Sequence, residues 1–258
     1  MMNIRERMRA GELLIGTLVT VPSPEVAEIL CHTDLDWLFI DLEHSACDAK
    51  DAQRLLQACG GRKPCLVRVA SVDEPGIRKA LDSGAQGIIL PQVNTRQQAE
   101  ALCAWSKYPP LGLRSVGLAR ATGYGQRFQG YVANANQETA VVVQIEHITA
   151  VQNVDAILAV PLIDAVFIGP YDLSASMGMP GAVSDPAVIA AIDQVLARCR
   201  SRGVAAGIFS GTPREARGWI EKGASLIAVG TDGLFLSRGV GAAVDELKGS
   251  PGRPTVIA

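Results

Sequence analysis

The chain has 258 residues, of which 48% are apolar and 19% are charged, so it can bury a large core and is neither disordered nor fibrous. This length suits one large α/β barrel or two small domains. The formal net charge is -2 and no basic cluster is interleaved with aromatic residues. A nucleic-acid-binding surface needs such a cluster, so a nucleic-acid partner is not expected.

The beginning of the chain predicts neither a targeting signal nor a membrane segment. Residues 1–9 are charged but no long apolar stretch follows them, and no window approaches the roughly 18 apolar residues of a membrane span. The six cysteines are scattered without a C-x-x-C pair, which predicts reduced thiols in the core or on the surface. We therefore expect a cytoplasmic protein without membrane contact.

Short apolar runs alternate with helical stretches along the chain, as in a parallel sheet covered by helices. The predicted strands, each apolar on both sides, are 14–21, 36–42, 65–69, 87–91, 140–145, 164–168, 205–209 and 225–229. The predicted helices are 23–33, 49–58, 74–83, 96–105, 148–159, 186–202, 213–222 and 236–247. A doubly wound open sheet would alternate similarly, but no G-x-G-x-x-G follows the first strand. The sequence therefore predicts an α/β protein, a single-domain (β/α)8 TIM barrel over residues 1–258.

Two segments lack a helical or strand pattern. Residues 106–136 are rich in Gly, Arg and Tyr and are longer than an ordinary connection, so we expect a lid or a binding element there. Residues 249–258 contain two prolines and predict a loose tail.

The second predicted strand ends in a dense polar cluster formed by Asp41, Glu43 and His44. In barrels of this kind, the active site lies at the C-terminal ends of the strands. One such residue would be explained by helix capping or a salt bridge, but three together favour a functional site. Asp41 precedes His44 by three residues, so its carboxylate could accept the imidazole N–H and raise the basicity of the ring.

Arg68 lies within the apolar run of the third predicted strand. A buried arginine costs several kcal/mol unless its charge meets a partner. That partner is either a protein carboxylate or an anionic substrate, and we favour the substrate because the neighbouring carboxylates have other tasks. Arg68 would then stabilise a carboxylate or a developing enolate.

Carboxylates also follow the fifth and sixth predicted strands. Gln144 and Glu146 are two residues apart and share a strand face, while Gly169 and Pro170 end the sixth strand and leave Asp172 on the following loop. Glu146 and Asp172 come from adjacent strands, and close carboxylates need a cation or a proton between them. Two caps on unrelated loops are the alternative. An oxygen site of this kind suits Mg²⁺ or Mn²⁺, with Co²⁺ as a further option, better than zinc.

The motifs together resemble the HpcH/HpaI aldolase family, the metal-dependent class II aldolases of pyruvate and other 2-oxo acids. The resemblance runs from residue 16 to 229 and rests on D-L-E-H-S at 41–45, V-R-V at 67–69, Y-P-P-L-G-L-R-S-V-G at 108–117, Q-I-E-H at 144–147 and F-I-G-P-Y-D-L-S at 167–174. It implies a barrel of the phosphoenolpyruvate/pyruvate type. It also implies a homo-oligomer, a hexamer or a trimer, in which neighbouring subunits exchange their last helices.

The resemblance also implies roles for individual residues. Glu146 and Asp172 match the metal ligands, Arg68 matches the arginine that steadies the enolate, and His44 with Asp41 matches the acid/base pair. The residues expected to bind substrate are Arg68, Glu43, Gln144, Gly169, Pro170, Tyr171 and Asp172. Tyr171 stands where some members have a small residue, which bears on the size of the pocket.

The implied reaction is reversible cleavage of a 4-hydroxy-2-oxo acid to pyruvate, or a related 2-oxo acid, and an aldehyde. No lysine ends a predicted strand, which disfavours a Schiff-base mechanism. Oxaloacetate decarboxylation and citrate-lyase-like cleavage of an acyl-CoA are alternatives that would use the same metal and Arg68. A CoA substrate would need a basic groove, and only Arg114, Arg120 and Arg127 on the long segment offer one. A binding protein for 2-oxo acids is the alternative that is not an enzyme.

Overall fold

The computed structural model describes residues 2–249. Eight parallel strands close into a barrel in chain order, each hydrogen-bonded to the next and the last to the first. They are β1 (Leu14–Val19), β2 (Trp37–Asp41), β3 (Cys65–Arg68), β4 (Gly87–Leu90), β5 (Ala140–Ile145), β6 (Ala165–Ile168), β7 (Ala205–Ser210) and β8 (Leu226–Thr231). All eight predicted strands and the barrel are confirmed, with ends shifted by one or two residues. The tail predicted at 249–258 lies, beyond Gly249, outside the described residues.

Helices form the outer layer of the barrel. They are α1 (Ile4–Arg9), α2 (Pro24–Cys31), α3 (Ala49–Cys59), α4 (Glu74–Asp82), α5 (Arg96–Ser106), α6 (Phe128–Glu138), α7 (Ile148–Gln152), α8 (Val154–Leu158), α9 (Pro170–Ser176), α10 (Pro186–Arg202), α11 (Pro213–Glu221) and α12 (Asp232–Lys248). The helix predicted at 148–159 is interrupted at Asn153, whose side chain donates a hydrogen bond to the carbonyl of Asn94. Among the described residues, no helix is long and apolar enough to cross a membrane.

The barrel interior is filled by side chains that alternate along the strands. Trp37, Phe39 and Phe167 pack in its middle, with ring centroids 5.3 Å apart for Phe39 and Phe167. Gly16 makes room for this cluster, because a Cβ at that position would lie 2.6 Å from the Trp37 ring. The same alternation places Asp41 and Arg68, which are neighbours in the β2–β3 register, above the aromatic layer.

Helix α1, which the sequence analysis did not predict, closes the N-terminal end of the barrel. Its Ile4 and Met8 are buried in the interior cluster. Arg5 and Arg9 both bind the buried carboxylate of Asp164, at 2.9 and 2.7 Å. The contacts that α1 makes at this end of the barrel are therefore structural.

The segment 106–136, predicted as a lid or binding element, lies at the N-terminal end of the strands, because it connects α5 to β5. It contains a 3-10 turn, Arg120–Thr122, and the start of α6. Arg114 is buried and binds Asp82 at 2.9 Å, while Arg120 donates to the carbonyls of Leu56 and Ser83, near the ends of α3 and α4. Within one subunit this segment does not cover the C-terminal ends of the strands, so the prediction of a lid is wrong for the single subunit. The alternative, a binding element, stays a prediction.

All six cysteines are free and buried, which confirms the prediction of reduced thiols and places every one of them in the core.

Candidate active site

A cavity of about 210 Å³ opens at the C-terminal ends of the strands. Its lining includes most of the predicted site residues: Asp41, His44, Arg68, Gln144, Gly169, Pro170, Tyr171 and Asp172. A larger cavity of about 480 Å³ lies at the opposite end of the barrel, and none of the predicted site residues lines it. The smaller cavity is the candidate site, because it combines charged and polar groups at the end where barrel enzymes work.

Arg68 is the central cation of this cavity. Its Nε and Nη2 donate to the two carboxylate oxygens of Asp41, at 2.8 and 2.7 Å, and its Nη1 lies 3.2 Å from Glu43 Oε2. The guanidinium carbon lies 5.2 Å from the centroid of the Phe39 ring, so the aromatic layer supports the group from below. The partner of Arg68 in the protein is therefore a carboxylate, and the preference for an anionic substrate over a protein carboxylate is wrong.

The carboxylate of Asp41 organises the turn after β2. Besides binding Arg68, its Oδ1 accepts the backbone N–H groups of Glu43 and His44 at 3.0 and 3.4 Å. Burial opposes ionisation of Asp41, but the hydrogen bonds and charge of Arg68 outweigh it and lower the pKa of the carboxyl. Asp41 and Arg68 thus form a buried ion pair.

Contrary to the prediction, Asp41 does not orient the His44 imidazole, because its two oxygens accept hydrogen bonds from Arg68 and from the backbone. Its Nε2 instead lies 3.8 Å from Glu43 Oε2 and 3.9 Å from Asp172 Oδ2. The side chain is 59% exposed and stands at the rim of the cavity. His44 is therefore free to reach a ligand that enters from solvent.

Glu146 is held almost completely buried below the rim. Its Oε1 accepts the backbone N–H of Gln92 at 2.8 Å and its Oε2 accepts the side-chain amide of Gln144, as expected if the two side chains share a strand face. Burial raises the pKa of Glu146, and the charge of Asp172 adds to the shift. Asp172 lies in the first turn of α9 and not on a loop, because the helix begins at Pro170.

Glu43 is the fourth carboxylate of the site. Burial raises its pKa to about 7 and the nearby charge of Glu146 contributes to the rise, although Arg68 opposes it. Asp41, Glu43, Glu146 and Asp172 together exceed the charge of the single arginine. A divalent cation bound here would reduce the repulsion among these carboxylates.

The donor set fits a hard cation that keeps several positions open. Gln144 lines the cavity, and its Oε1 is buried without a hydrogen-bond partner among residues 2–249. Across the same described range, no group of three or more His, Cys, Asp or Glu side chains is arranged to hold a metal by itself. Two carboxylates, those of Glu146 and Asp172, would therefore need oxygen ligands from water or substrate to complete a magnesium-like site.

Gly169 is essential to the position of Glu146. A Cβ at Gly169 would lie 2.6 Å from Glu146 Oε2 and 3.0 Å from Glu146 Cβ. The predicted role of this glycine was contact with substrate. The structure adds a steric role, since only glycine lets the carboxylate lie against the end of β6.

Some site features could not be found by searching for polar residues at strand ends. Gln92 has a φ of 53°, a conformation that is uncommon outside glycine, and this directs its N–H to Glu146. Phe209, near the end of β7, packs against Tyr171 with ring centroids 6.0 Å apart and forms an apolar wall of the cavity. An apolar residue that ends an apolar run gives no sequence signal of its own.

Comparison with known proteins gives a consistent result. The model of the HpcH/HpaI aldolase/citrate lyase family matches residues 15–238. A 4-hydroxy-2-oxovalerate aldolase of Novosphingobium aromaticivorans is 38% identical over 241 residues, 93% of this chain and 92% of that protein. A hydroxypyruvate/pyruvate aldolase of Pseudomonas aeruginosa is 37% identical over 255 residues, 97% of this chain and 94% of that protein.

Solved structures agree with these sequence relationships. An HpcH/HpaI aldolase/citrate lyase family protein of Burkholderia cenocepacia superposes with a TM-score of 0.92 at 35% identity, covering 95% of this chain and 98% of that chain. The family model, the sequence relatives and the solved structure all cover nearly the whole barrel. The chain therefore belongs to the HpcH/HpaI aldolase/citrate lyase family.

Proposed function

We propose that this chain is a divalent-metal-dependent aldolase that cleaves 4-hydroxy-2-oxo acids to pyruvate, or a related 2-oxo acid, and an aldehyde. The curated relatives described above are aldolases. The observation that carries the proposal is that Asp172, Arg68 and His44 line one small cavity, with Glu146 hydrogen-bonded to Gln144 of the same lining. About 210 Å³ suits a small acid better than a bulky cofactor.

Glu146 and Asp172 would hold the cation, which members of the family generally require. When bound, a divalent ion such as Mg²⁺ or Mn²⁺ supplies a Lewis acid next to the oxygens of a 2-oxo acid. Gln144, which lines the cavity, and the backbone N–H of Gln92 hold the Glu146 carboxylate by hydrogen bonds. The backbone from Gly169 to Asp172 surrounds the space proposed for the substrate carboxylate.

Arg68 would stabilise the negative charge that develops on the 2-oxo oxygen. Asp41 holds two of its nitrogens, so the direction of the guanidinium is fixed before substrate binds. Its Nη1 lies 3.2 Å from Glu43 Oε2, and the side chain lines the cavity. A planar guanidinium has five N–H donors, so donors remain for a ligand in the cavity.

His44 is proposed as the acid/base group. In cleavage, the imidazole takes the proton of the C4 hydroxyl, the C3–C4 bond breaks, and its electron pair moves to the C2 oxo group as the aldehyde leaves. Protonation of C3 then gives the 2-oxo acid, and synthesis reverses these steps. Its position at the rim, 3.9 Å from Asp172, suits a group that meets the outer part of the substrate.

Tyr171 and Phe209 would contact the aldehyde part of the substrate. They form an apolar wall next to Asp172 at the mouth of the cavity. Among the described residues that line the cavity there is no lysine, which supports enolate chemistry over a Schiff base. Arg120 and Arg127, which offered the basic groove for a CoA substrate, line the cavity at the other end of the barrel. This placement disfavours the acyl-CoA lyase.

We also propose a homo-oligomer, a hexamer or a trimer, that exchanges its last helices. Helix α12 carries apolar side chains that are exposed in the single subunit: Phe235, Leu236, Val240, Val244 and Leu247. An apolar stripe of this kind on the surface marks a protein contact. A neighbouring subunit of the same kind would cover it.

The test of the function is exchange of the pyruvate methyl protons in D₂O, followed by NMR, with and without Mg²⁺ or Mn²⁺. We expect metal-dependent exchange that is lost in Arg68→Ala and retained in Arg78→Ala, which removes an exposed arginine on α4. Cleavage of 4-hydroxy-2-oxo acids would then distinguish an aldolase from an oxaloacetate decarboxylase. Absence of exchange with every metal would disprove the proposed enolate chemistry and favour the 2-oxo acid binding protein.

A further inference from the structure

The cavity at the N-terminal end of the barrel, here termed the lower cavity, has a volume of about 480 Å³ and takes no part in the proposed reaction. Residues that precede three strands form its floor, namely Lys63 before β3, Gln86 before β4 and Thr139 before β5. The 3-10 turn, α6 and the end of α3 form its walls. It is more than twice as large as the candidate active site and is built from different elements.

The lower cavity is lined by three cations, Lys63, Arg120 and Arg127, against one carboxylate in the described chain, that of Glu138. Arg120 is fixed by hydrogen bonds to the carbonyls of Leu56 and Ser83. Within residues 2–249, the side chains of Lys63 and Arg127 make neither a hydrogen bond nor an ion pair. Two cations that share a concave site without a protein partner leave their hydrogen-bonding capacity for a ligand.

Two glycines allow the arginines to lie flat against the backbone. A Cβ at Gly84 would lie 2.5 Å from Nη1 of Arg120, and a Cβ at Gly123 would lie 2.9 Å from Nε of Arg127. The Arg120 guanidinium is packed against the wall of the cavity by its two carbonyl partners, whereas Arg127 is exposed to solvent. A planar guanidinium can present two parallel N–H donors to one oxyanion.

The thiol of Cys59 also lines the lower cavity. Its pKa is lowered to about 7, first by a hydrogen bond with the Cys65 thiol and also by the charges of Arg62 and Arg120, although burial acts in the opposite direction. The charges of Arg62 and Arg120 thus act at this wall of the lower cavity, although the largest cause of the shift is Cys65.

We propose that the lower cavity binds a small organic phosphate through Lys63, Arg120 and Arg127. Phosphate is favoured over a simple carboxylate, because it offers three oxygens and about two charges to three cationic groups. The volume leaves room for an organic part beside the rings of Tyr124 and Tyr131, which line the same space. The inference concerns a second site and does not depend on the proposed aldolase reaction.

The test is isothermal titration of the metal-loaded protein with inorganic phosphate, glycerol 3-phosphate and citrate at constant ionic strength. We expect saturable binding of both phosphates, tighter for glycerol 3-phosphate, that weakens by about tenfold or more in Arg127→Ala and in Lys63→Ala, as loss of a charged hydrogen bond predicts. Both variants should fold, since neither side chain has a partner to lose.

The matched control is Arg54→Ala, which removes an exposed arginine of α3 that does not line the lower cavity. It should change the affinity by less than about twofold, as expected for a distant, screened charge. Phosphate binding that is equal in Arg127→Ala, Lys63→Ala and the unmodified protein would place the anion elsewhere and overturn the proposal. Absence of saturation, or binding of citrate alone, would overturn it as well.

Discussion

At the residue scale, the pair of Arg68 and Asp41 decides how charge is arranged in the cavity. Both side chains are buried, so neither charge could be accommodated without the other. The bidentate contact leaves Asp41 no oxygen with which to orient His44. Orientation of the arginine and proton transfer are therefore tasks of different residues. Asp41 positions the arginine, and the imidazole remains at the rim.

Asp41→Asn should therefore impair stability and catalysis together. The amide removes the negative charge beside a buried guanidinium, and breaking a buried pair of this kind costs about 3 kcal/mol. We expect a lower free energy of unfolding in urea and loss of most pyruvate proton exchange. Asp48→Asn, which alters an exposed N-cap of α3, serves as the control. Unchanged stability in Asp41→Asn would mean that Glu43 alone balances Arg68.

Glu43 gives the metal-free protein a distinctive pH dependence. Its pKa is raised to about 7 from 4.5, mainly by burial. The folded state thus binds this proton more tightly than the unfolded chain, so the associated stability is fully present below about pH 4.5 and is lost as the pH rises through about 7.

We expect the melting temperature of chelator-treated protein to fall across this range more steeply than that of Glu43→Gln, as measured by calorimetry. Mg²⁺ should reduce the difference, because a cation replaces the proton as the partner of the carboxylates. Glu221→Gln, at an exposed position away from the site, should follow the unmodified protein. Parallel curves for Glu43→Gln and the unmodified protein would contradict this explanation.

At the scale of elements, the strands were predictable because burial on both faces makes each one a continuous apolar run. Helices with a single apolar stripe were also found, but α6 buries only Ala135 and α1 has six residues, so neither shows a clear period. The signal for α1 was local, since Asn3 and Glu6 form a capping box.

The candidate site was predictable only where a charged residue lies within an apolar run or directly after it. Arg68 in an apolar strand and the carboxylates at strand ends are visible in the sequence for this reason. The N–H of Gln92 and the contact of Gly169 with Glu146 depend on the approach of separate strands. The partners of Asp41 likewise follow from the β2–β3 register, which no local pattern specifies.

The junction of β6 and α9 provides a test at this scale. Gly169→Ala would place a Cβ 2.6 Å from Glu146 Oε2 and displace the carboxylate. We expect Mg²⁺ affinity to fall by about 10–100-fold, the range seen when groups that orient metal ligands are changed. Titration calorimetry measures this. Gly218→Ala in α11, where a Cβ meets nothing within 4 Å, should keep the metal affinity and stabilise the helix by about 0.5–1 kcal/mol. Equal metal affinity in both variants would contradict the role of Gly169.

At the scale of the whole molecule, the two ends of the barrel have separate roles. The N-terminal end is closed by α1 and the segment 106–136, whereas the C-terminal end carries the carboxylates and Arg68. The last helix, α12, follows β8 directly from this second end, and Asp232 at its start accepts hydrogen bonds from the backbone of Thr20 and Val21. The start of α12 is thus tied to the rim of the site, while its apolar side chains face away.

Exposure of α12 predicts that assembly depends on this helix. Leu236 is 67% exposed in the single subunit and would be covered by a neighbour, so Leu236→Glu should bury a charge in the interface. We expect light scattering to give the mass of a trimer or hexamer for the unmodified protein and a smaller mass for the variant. Ile29→Glu, at a position on α2 that is 66% exposed, controls for the loss of an exposed apolar side chain and should leave the mass unchanged. A monomeric unmodified protein, or equal masses for Leu236→Glu and Ile29→Glu, would show that α12 is not the contact.

Because Asp232 links this helix to the rim, dissociation of the Leu236→Glu variant should also raise the KM for the substrate.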